Sequence, residues 1–154
     1  MSERKPPADS ITVSVVEIDS KDCGSAARLA VRFRAPIFEP TWWPGDTGAM
    51  SYVLDQSPSG VRYRIGSTRR DGTPIVLIGG AEQRGGLPEG NWSRPPELEA
   101  FHGLVRTVDA HVHAVVNREQ QTLHLIGYAS EAEVARALKS LQRVSAEPTS
   151  AEEH

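Results

Sequence analysis

Apolar and polar residues alternate along several short stretches of the chain, the pattern of half-buried β-strands. Ile11–Val15 shows this period of two. Met50–Leu54, Val61–Ile65 and Pro74–Ile78 follow, separated by turn sequences rich in Ser, Pro, Gly and Asp. The pattern predicts a meander of antiparallel strands.

Residues 22–33 fit two patterns. Apolar side chains recur at helical spacing from Ala26 to Phe33, with Asp22 as a candidate N-cap. From Leu29 onward every second residue is also apolar, as in a strand. The alanines favour the helix, because alanine has high helix and low strand propensity.

Prolines interrupt the next segment, residues 35–45, at intervals of four residues. Each proline removes a backbone donor, so an extended connector without regular strand pairing is expected. Phe38 and either Trp42 or Trp43 are expected to pack it onto the core.

A second irregular segment, residues 84–96, is rich in Gly and Pro and is predicted to be a long loop. Long loops are often functional, so Trp92 is a candidate for ligand contact. Anchoring the loop to the core is its structural alternative. Pro96 is expected to open a short helix through Phe101, with Leu98 and Phe101 as its buried residues.

Near the C-terminus, Thr107–Asn117 and Gln121–Tyr128 are predicted to form an antiparallel strand pair, with the turn centred between Glu119 and Gln120. In that register the apolar residues share one face, which must be the buried one. The opposing residues would be Val116 and Leu123, Ala114 and Leu125, and Val112 and Gly127.

The other face of this pair would carry His111 and His113 from one strand and His124 from the next, beside Asp109 and Tyr128. His124 would lie diagonally across from His113, within side-chain reach. A slip of one residue would move His124 to the opposite face, so the cluster depends on the loop length.

This face supports different chemical hypotheses. Trp92, His111, His113 and Tyr128 are the candidate residues for contact with a protein or small ligand. Alternatively His111, His113 and His124 could hold zinc or iron and leave a coordination site open for catalysis. A solvent-facing or pH-sensitive surface is the remaining interpretation.

The terminal helix has the clearest signals. Ser130 and Glu133 have capping-box spacing, and the helix is predicted to continue through Val144. Its predicted buried residues are Val134, Leu138 and Leu141.

Composition narrows the functional classes. The 154 residues carry a net charge of −3 with scattered Lys and Arg, which disfavours nucleic-acid binding. Arg62 and Arg64 share a strand face that is interpreted as solvated. No apolar run is long enough for membrane insertion, so the default localisation is cytoplasmic, or extracytoplasmic if a signal or anchor was removed. Residues 1–10 and 145–154 are expected to be disordered tails around one domain, residues 11–144.

Catalytic motifs are scarce. The chain has no Gly-x-Ser-x-Gly elbow, phosphate loop, dinucleotide fingerprint or Cys-x-x-Cys. Cys23, the single cysteine, could be a nucleophile only beside a histidine and is interpreted as a small core residue.

The order of parts resembles a family of small uncharacterised bacterial domains. The shared features are the Ala-rich helix ending at Phe33, the proline and tryptophan connector, the meander, and the final strand leading through Gly127 and Ser130 into a helix. Such domains lie outside the membrane behind anti-sigma-factor or lipoprotein anchors, especially in actinobacteria. The resemblance implies a sheet with helices on one face, a binding or sensing role, and no catalytic residues to transfer.

We therefore expect an α+β domain with an antiparallel sheet of about six strands, helices on one face and an amphipathic C-terminal helix. A non-enzymatic binding or regulatory module is the leading functional hypothesis. The alternatives are a small metal-dependent enzyme and a structural domain that forms a homodimer through an exposed edge strand.

Overall fold

A mostly antiparallel β structure with few helices accounts for the described part of the chain, residues 18–58, 60–80 and 90–145 of a computed structural model. The strands are β1 (Asp19–Asp22), β2 (Ile37–Pro40), β3 (Ser51–Ser57), β4 (Gly60–Thr68), β5 (Pro74–Gly79), β6 (Leu104–Val108), β7 (His111–Arg118), β8 (Gln121–Gly127) and β9 (Leu141–Val144). Seven form one sheet in the order β1-β3-β4-β5-β8-β7-β6, and β2 pairs with β9 separately.

The helices are α1 (Ala26–Phe33), a 3-10 helix (Pro96–Phe101) and α2 (Glu131–Lys139). The helical interpretation of residues 26–33 is confirmed, but the predicted cap is wrong. Ser25 is the N-cap and accepts a hydrogen bond from the Arg28 backbone N–H. Asp22 ends β1 instead, and Gly24, with a φ of +83°, separates it from the helix.

The α2 helix begins as predicted and ends earlier. The Ser130 side chain accepts from the Glu133 N–H, and the Glu133 carboxylate accepts from the Ser130 N–H, so the capping box is present. The predicted continuation to Val144 is wrong, because the helix ends at Lys139 and the chain becomes β9.

The proline-rich connector contains a strand, which corrects the expectation that it has no regular pairing. β2 pairs antiparallel with β9, and its proline, Pro40, is the last residue of the strand, where a missing donor costs least. Phe38 is fully buried, as predicted, and both Trp42 and Trp43 pack against the core.

The predicted strand Thr107–Asn117 is two strands. Asp109 and Ala110 adopt positive φ values of 50° and 72° and form a two-residue hairpin turn between β6 and β7. Asp109 therefore lies in the turn and not on the strand face with the histidines.

The core includes one face of the seven-stranded sheet. Tyr63, Ile65, Leu77 and Leu125 are fully buried there in adjacent strands. The same core cluster contains Leu29 and Ala30 of α1, Val134 and Leu138 of α2, and Leu98 of the 3-10 helix.

Several predictions fall on other parts of the chain. The strand Ile11–Val15, the tail over residues 1–10, residues 146–154 and the first part of the 84–96 loop lie outside the described residues. Gly90–Pro95, the described part of that loop, makes one isolated bridge, between Ser93 and Val105.

Candidate functional site

The turn between β7 and β8 sets the position of the histidines. Glu119 and Gln120 form it with positive φ values of 47° and 74°, and the predicted register is confirmed. Val116 lies opposite Leu123, Ala114 opposite Leu125, and Val112 opposite Gly127. We call the other face, which carries His113, His124 and Arg106, the histidine face.

His113 and His124 are in direct contact on the histidine face. His113 Nε2 and His124 Nδ1 are 2.9 Å apart, a hydrogen bond between two imidazoles. The two residues are 8% and 7% exposed, and their strands, β7 and β8, are both interior strands of the sheet. A hydrogen bond between two ring nitrogens needs one donor and one acceptor, so both rings cannot be charged while it persists.

Burial favours the neutral form of both rings. Burial, followed by the nearby His124, Arg106 and His111, lowers the pKa of His113 to about 4. Burial also lowers the pKa of His124. At neutral pH each imidazole therefore carries a single N–H proton. Because the two rings share one hydrogen bond, the ring nitrogen that is protonated in His113 determines which nitrogen is protonated in His124.

Trp92 and Arg106 extend the cluster beyond the two histidines. The half-buried Trp92 ring packs edge-on against His113, with centroids 5.2 Å apart and an interplanar angle of 70°. The Arg106 guanidinium lies over the Trp92 ring, 4.7 Å from its centroid. Arg106 sits on β6 directly opposite His113. The loop residue chosen from the sequence, Trp92, thus contacts one of the predicted histidines, His113.

His111 and Tyr128 form a neighbouring pair at the end of the same strands. Their ring centroids are 5.6 Å apart, with the planes tilted by 49°. Tyr128 is 41% exposed, so this end of the histidine face is open to solvent. The predicted ligand-contact residues therefore occupy one continuous region.

The two ring nitrogens of His124 differ in their hydrogen bonding, since only Nδ1 has a partner among the described residues. His124 Nε2 is buried and has no hydrogen-bond partner among the described residues. A buried polar atom without a partner costs about 1–3 kcal/mol, and such atoms in native proteins call for an explanation.

The described residues contain no group of three His, Cys, Asp or Glu side chains arranged to hold a metal ion. The predicted zinc or iron ligands His111, His113 and His124 share a face, but two of the facing nitrogens are already bonded to each other. The metal hypothesis stays a prediction. Elemental analysis of the protein and of a His111→Ala/His113→Ala variant would test it.

An ion-pair network, missed in the sequence, lies further along the same sheet face. Asp55 is 4% exposed; its carboxylate accepts from Arg64 Nε at 2.6 Å and from Ser20 Oγ at 2.5 Å, and Arg62 Nε lies 3.5 Å away. The arginine pair is therefore held by a buried carboxylate, which corrects its interpretation as a purely solvated face. In the sequence, this network is indicated by opposite charges on two adjacent strands, Asp55 on β3 and Arg62 and Arg64 on β4.

Cys23 is buried, and burial raises the pKa of its thiol. Its sulfur contacts the Lys21 carbonyl oxygen at 3.7 Å. A thiol in this environment is a poor nucleophile, in agreement with its interpretation as a core residue.

Comparisons with known proteins give no relative. No protein-family model, curated protein or solved structure matches the chain. Within residues 18–58, 60–80 and 90–145, no helix is long and apolar enough to cross a membrane.

Proposed function

We propose that this protein is a non-enzymatic binding or regulatory module, whose protein or small-molecule ligand docks on the histidine face. The observation that carries the proposal is the continuous contact from Trp92 through His113 to His124. An aromatic residue contributed by a loop and a few convergent polar groups on a rigid sheet are common components of ligand sites.

The proposal includes an architecture in which helices cover only the opposite face of the sheet. α1 contacts β3 and β4, while α2 contacts β7, β8 and the 3-10 helix. Their buried residues, among them Leu29 of α1 and Leu138 of α2, belong to the same core as Tyr63 and Leu125. On this architecture α2 is an amphipathic C-terminal helix, and the histidine face is left for recognition.

Recognition suits the chemistry of the two imidazoles better than catalysis. Both rings are buried, neutral at physiological pH and hydrogen-bonded to each other. A general base needs an accessible nitrogen within reach of substrate, whereas His113 Nε2 and His124 Nδ1 are already engaged.

A fragment screen followed by NMR would test this function. We expect binders to shift the side-chain signals of His113, His124 and Trp92, and to lose affinity in Trp92→Ala. His102, at the exposed end of the 3-10 helix, provides the matched control, since His102→Ala should leave binding unchanged. Binders that shift only residues elsewhere, or binding unaffected by Trp92→Ala, would contradict the proposal.

A further inference from the structure

A cleft lies where β1 leads into α1, apart from the histidine face. Its volume is about 620 Å³, within the range of small-molecule sites. The residues that line it come from the exposed side of α1 and from the end of β1 with the turn that follows. None of these residues belongs to the histidine face, so the cleft is a separate surface of the molecule.

Two arginines line this cleft from α1. Arg28 and Arg32 are exposed and four residues apart, so their side chains project from the same side of the helix, one turn apart. A Cβ atom added at Gly24 would lie 3.9 Å from Arg28 Nη1, which places this guanidinium beside the turn between β1 and α1. The cleft therefore carries two neighbouring positive charges.

Neither guanidinium has a partner within the described ranges of the chain. The side chains of Arg28 and Arg32 make no hydrogen bond, ion pair or ring contact there, in contrast to Arg64 and Arg69, which bond to carboxylates. α1 itself contains no acidic residue. Like charges four residues apart in a helix repel each other and cost stability. An anion bound between the two arginines would relieve this repulsion.

We propose that this cleft binds the phosphate group of a small organic molecule, which accepts hydrogen bonds from Arg28 and Arg32. Guanidinium groups match the geometry of phosphate, and a phosphate monoester carries nearly two negative charges at pH 7. Two arginines therefore balance a phosphate more closely than a carboxylate, which carries one charge. Val31, 47% exposed, and Ala27 line the same cleft and offer apolar surface to the organic part of the ligand. This site goes beyond the function proposed for the histidine face and does not depend on it.

Asp22 supplies the one carboxylate among the described residues that line the cleft. Its Oδ1 accepts a hydrogen bond from the Gly24 backbone N–H at 3.0 Å, so the side chain closes the turn while its charge opposes a bound anion. Asp22→Asn keeps an acceptor oxygen and removes the charge. The substitution should therefore strengthen phosphate binding about threefold, the effect of one exposed charge.

Phenyl phosphate at pH 7.5 is a suitable probe, with phenol and inorganic phosphate as matched controls and chloride at equal ionic strength as the salt control. We expect saturable shifts of the backbone amide NMR signals of Gly24, Ser25 and Arg28. Phenyl phosphate should bind about threefold or more tightly than inorganic phosphate, since the ring gains apolar contact, and phenol should not bind. No saturable shift, or equal binding of phenol or of inorganic phosphate, would overturn the proposal.

Charge-removing variants test the two arginines separately. Arg28→Gln and Arg32→Gln should each weaken phenyl phosphate binding about threefold, and the double variant about tenfold. Arg70→Gln, which removes an exposed positive charge outside the cleft, should leave the affinity unchanged. An equal loss in Arg70→Gln would show that only the net charge matters, and weaker binding in Asp22→Asn would show that the phosphate does not lie in this cleft; either result would overturn the proposal.

Discussion

The hydroxyl of Tyr63 donates a hydrogen bond to Gln121 Oε1 at 2.8 Å and accepts one from the Phe38 backbone N–H at 3.0 Å. Gln121 Nε2 in turn donates to the Pro36 carbonyl. One buried phenol therefore joins the meander, the connector and the terminal hairpin, three segments distant in sequence. Burial raises the pKa of Tyr63, so the phenol stays protonated and remains a donor.

Replacing Tyr63 with Phe should lower the free energy of unfolding by about 1–3 kcal/mol. The substitution keeps the ring and leaves the buried Phe38 N–H without its acceptor. Urea unfolding would measure the loss. Tyr52→Phe is the control, because the Tyr52 hydroxyl bonds to Glu39 at a partly exposed position and its loss should cost less. Equal losses would contradict this account of the phenol.

Stability should fall in acid because of the histidine pair. The pKa of His113 is lowered to about 4 in the folded protein from an ordinary value near 6.5. Between these values the unfolded chain binds a proton that the folded protein does not, so the contribution is complete above pH 6.5 and is lost as the pH falls toward 4. The loss is on the order of 3 kcal/mol at the acid limit.

Chemical unfolding at a series of pH values would measure how steeply the free energy of unfolding falls as the pH decreases from 6.5 to 4. His113→Gln should flatten this pH dependence, while His102→Gln should leave it unchanged. A slope that survives in His113→Gln would show that other groups cause the acid sensitivity.

Asp55→Asn should destabilise the protein by about 1–3 kcal/mol, since Arg62 and Arg64 lose their buried counter-charge. Burial alone would raise the pKa of Asp55, but hydrogen bonds from Arg64 and Ser20 and the charges of both arginines outweigh it and lower the pKa. The carboxylate therefore stabilises above its ordinary pKa, and this stability disappears as the pH falls through the lowered value. Thermal unfolding at pH 7 would measure the loss, with Asp19→Asn at an exposed position as the control. Equal destabilisation by the two substitutions would contradict the stabilising role of the Asp55 carboxylate.

Removing the capping box should have a smaller effect. Ser130→Ala deletes the acceptor of the Glu133 N–H and should cost about 1 kcal/mol in the free energy of unfolding. Ser67→Ala removes only a 3.4 Å contact to the neighbouring Thr68 carbonyl and should cost little. No difference between the two variants in urea unfolding would show that the cap contributes nothing.

The elements found from sequence are those with strong local signals. Alternation together with a turn at Glu119 and Gln120 was sufficient for the β7–β8 register, because a hydrophobic face tolerates no slip of one residue. That register in turn brought His113 and His124 together. The contact of Trp92 with His113 depends on the path of a loop, for which the sequence has no periodic signal.

Other elements have no local signal. β1, Asp-Ser-Lys-Asp, is wholly exposed and polar, and it is a strand only because β3 offers an edge. The turn at Asp109 and Ala110 lacks the glycine that usually marks such turns. β9 begins just after α2, and the helical spacing of apolar residues continues into it, so the sequence predicts a longer helix there. The strand forms through its pairing with β2, a distant segment that gives no local signal.

The small β2–β9 sheet joins two parts of the chain about a hundred residues apart. The Thr41 backbone N–H, next to β2, donates to the Ser140 side chain across 99 residues of sequence. Closing so long a loop carries an entropic cost, which the contacts of β2 with β9 must offset. β2 follows the first described helix and β9 follows the last, so loss of the final strand would also remove the pairing partner of a segment about a hundred residues earlier.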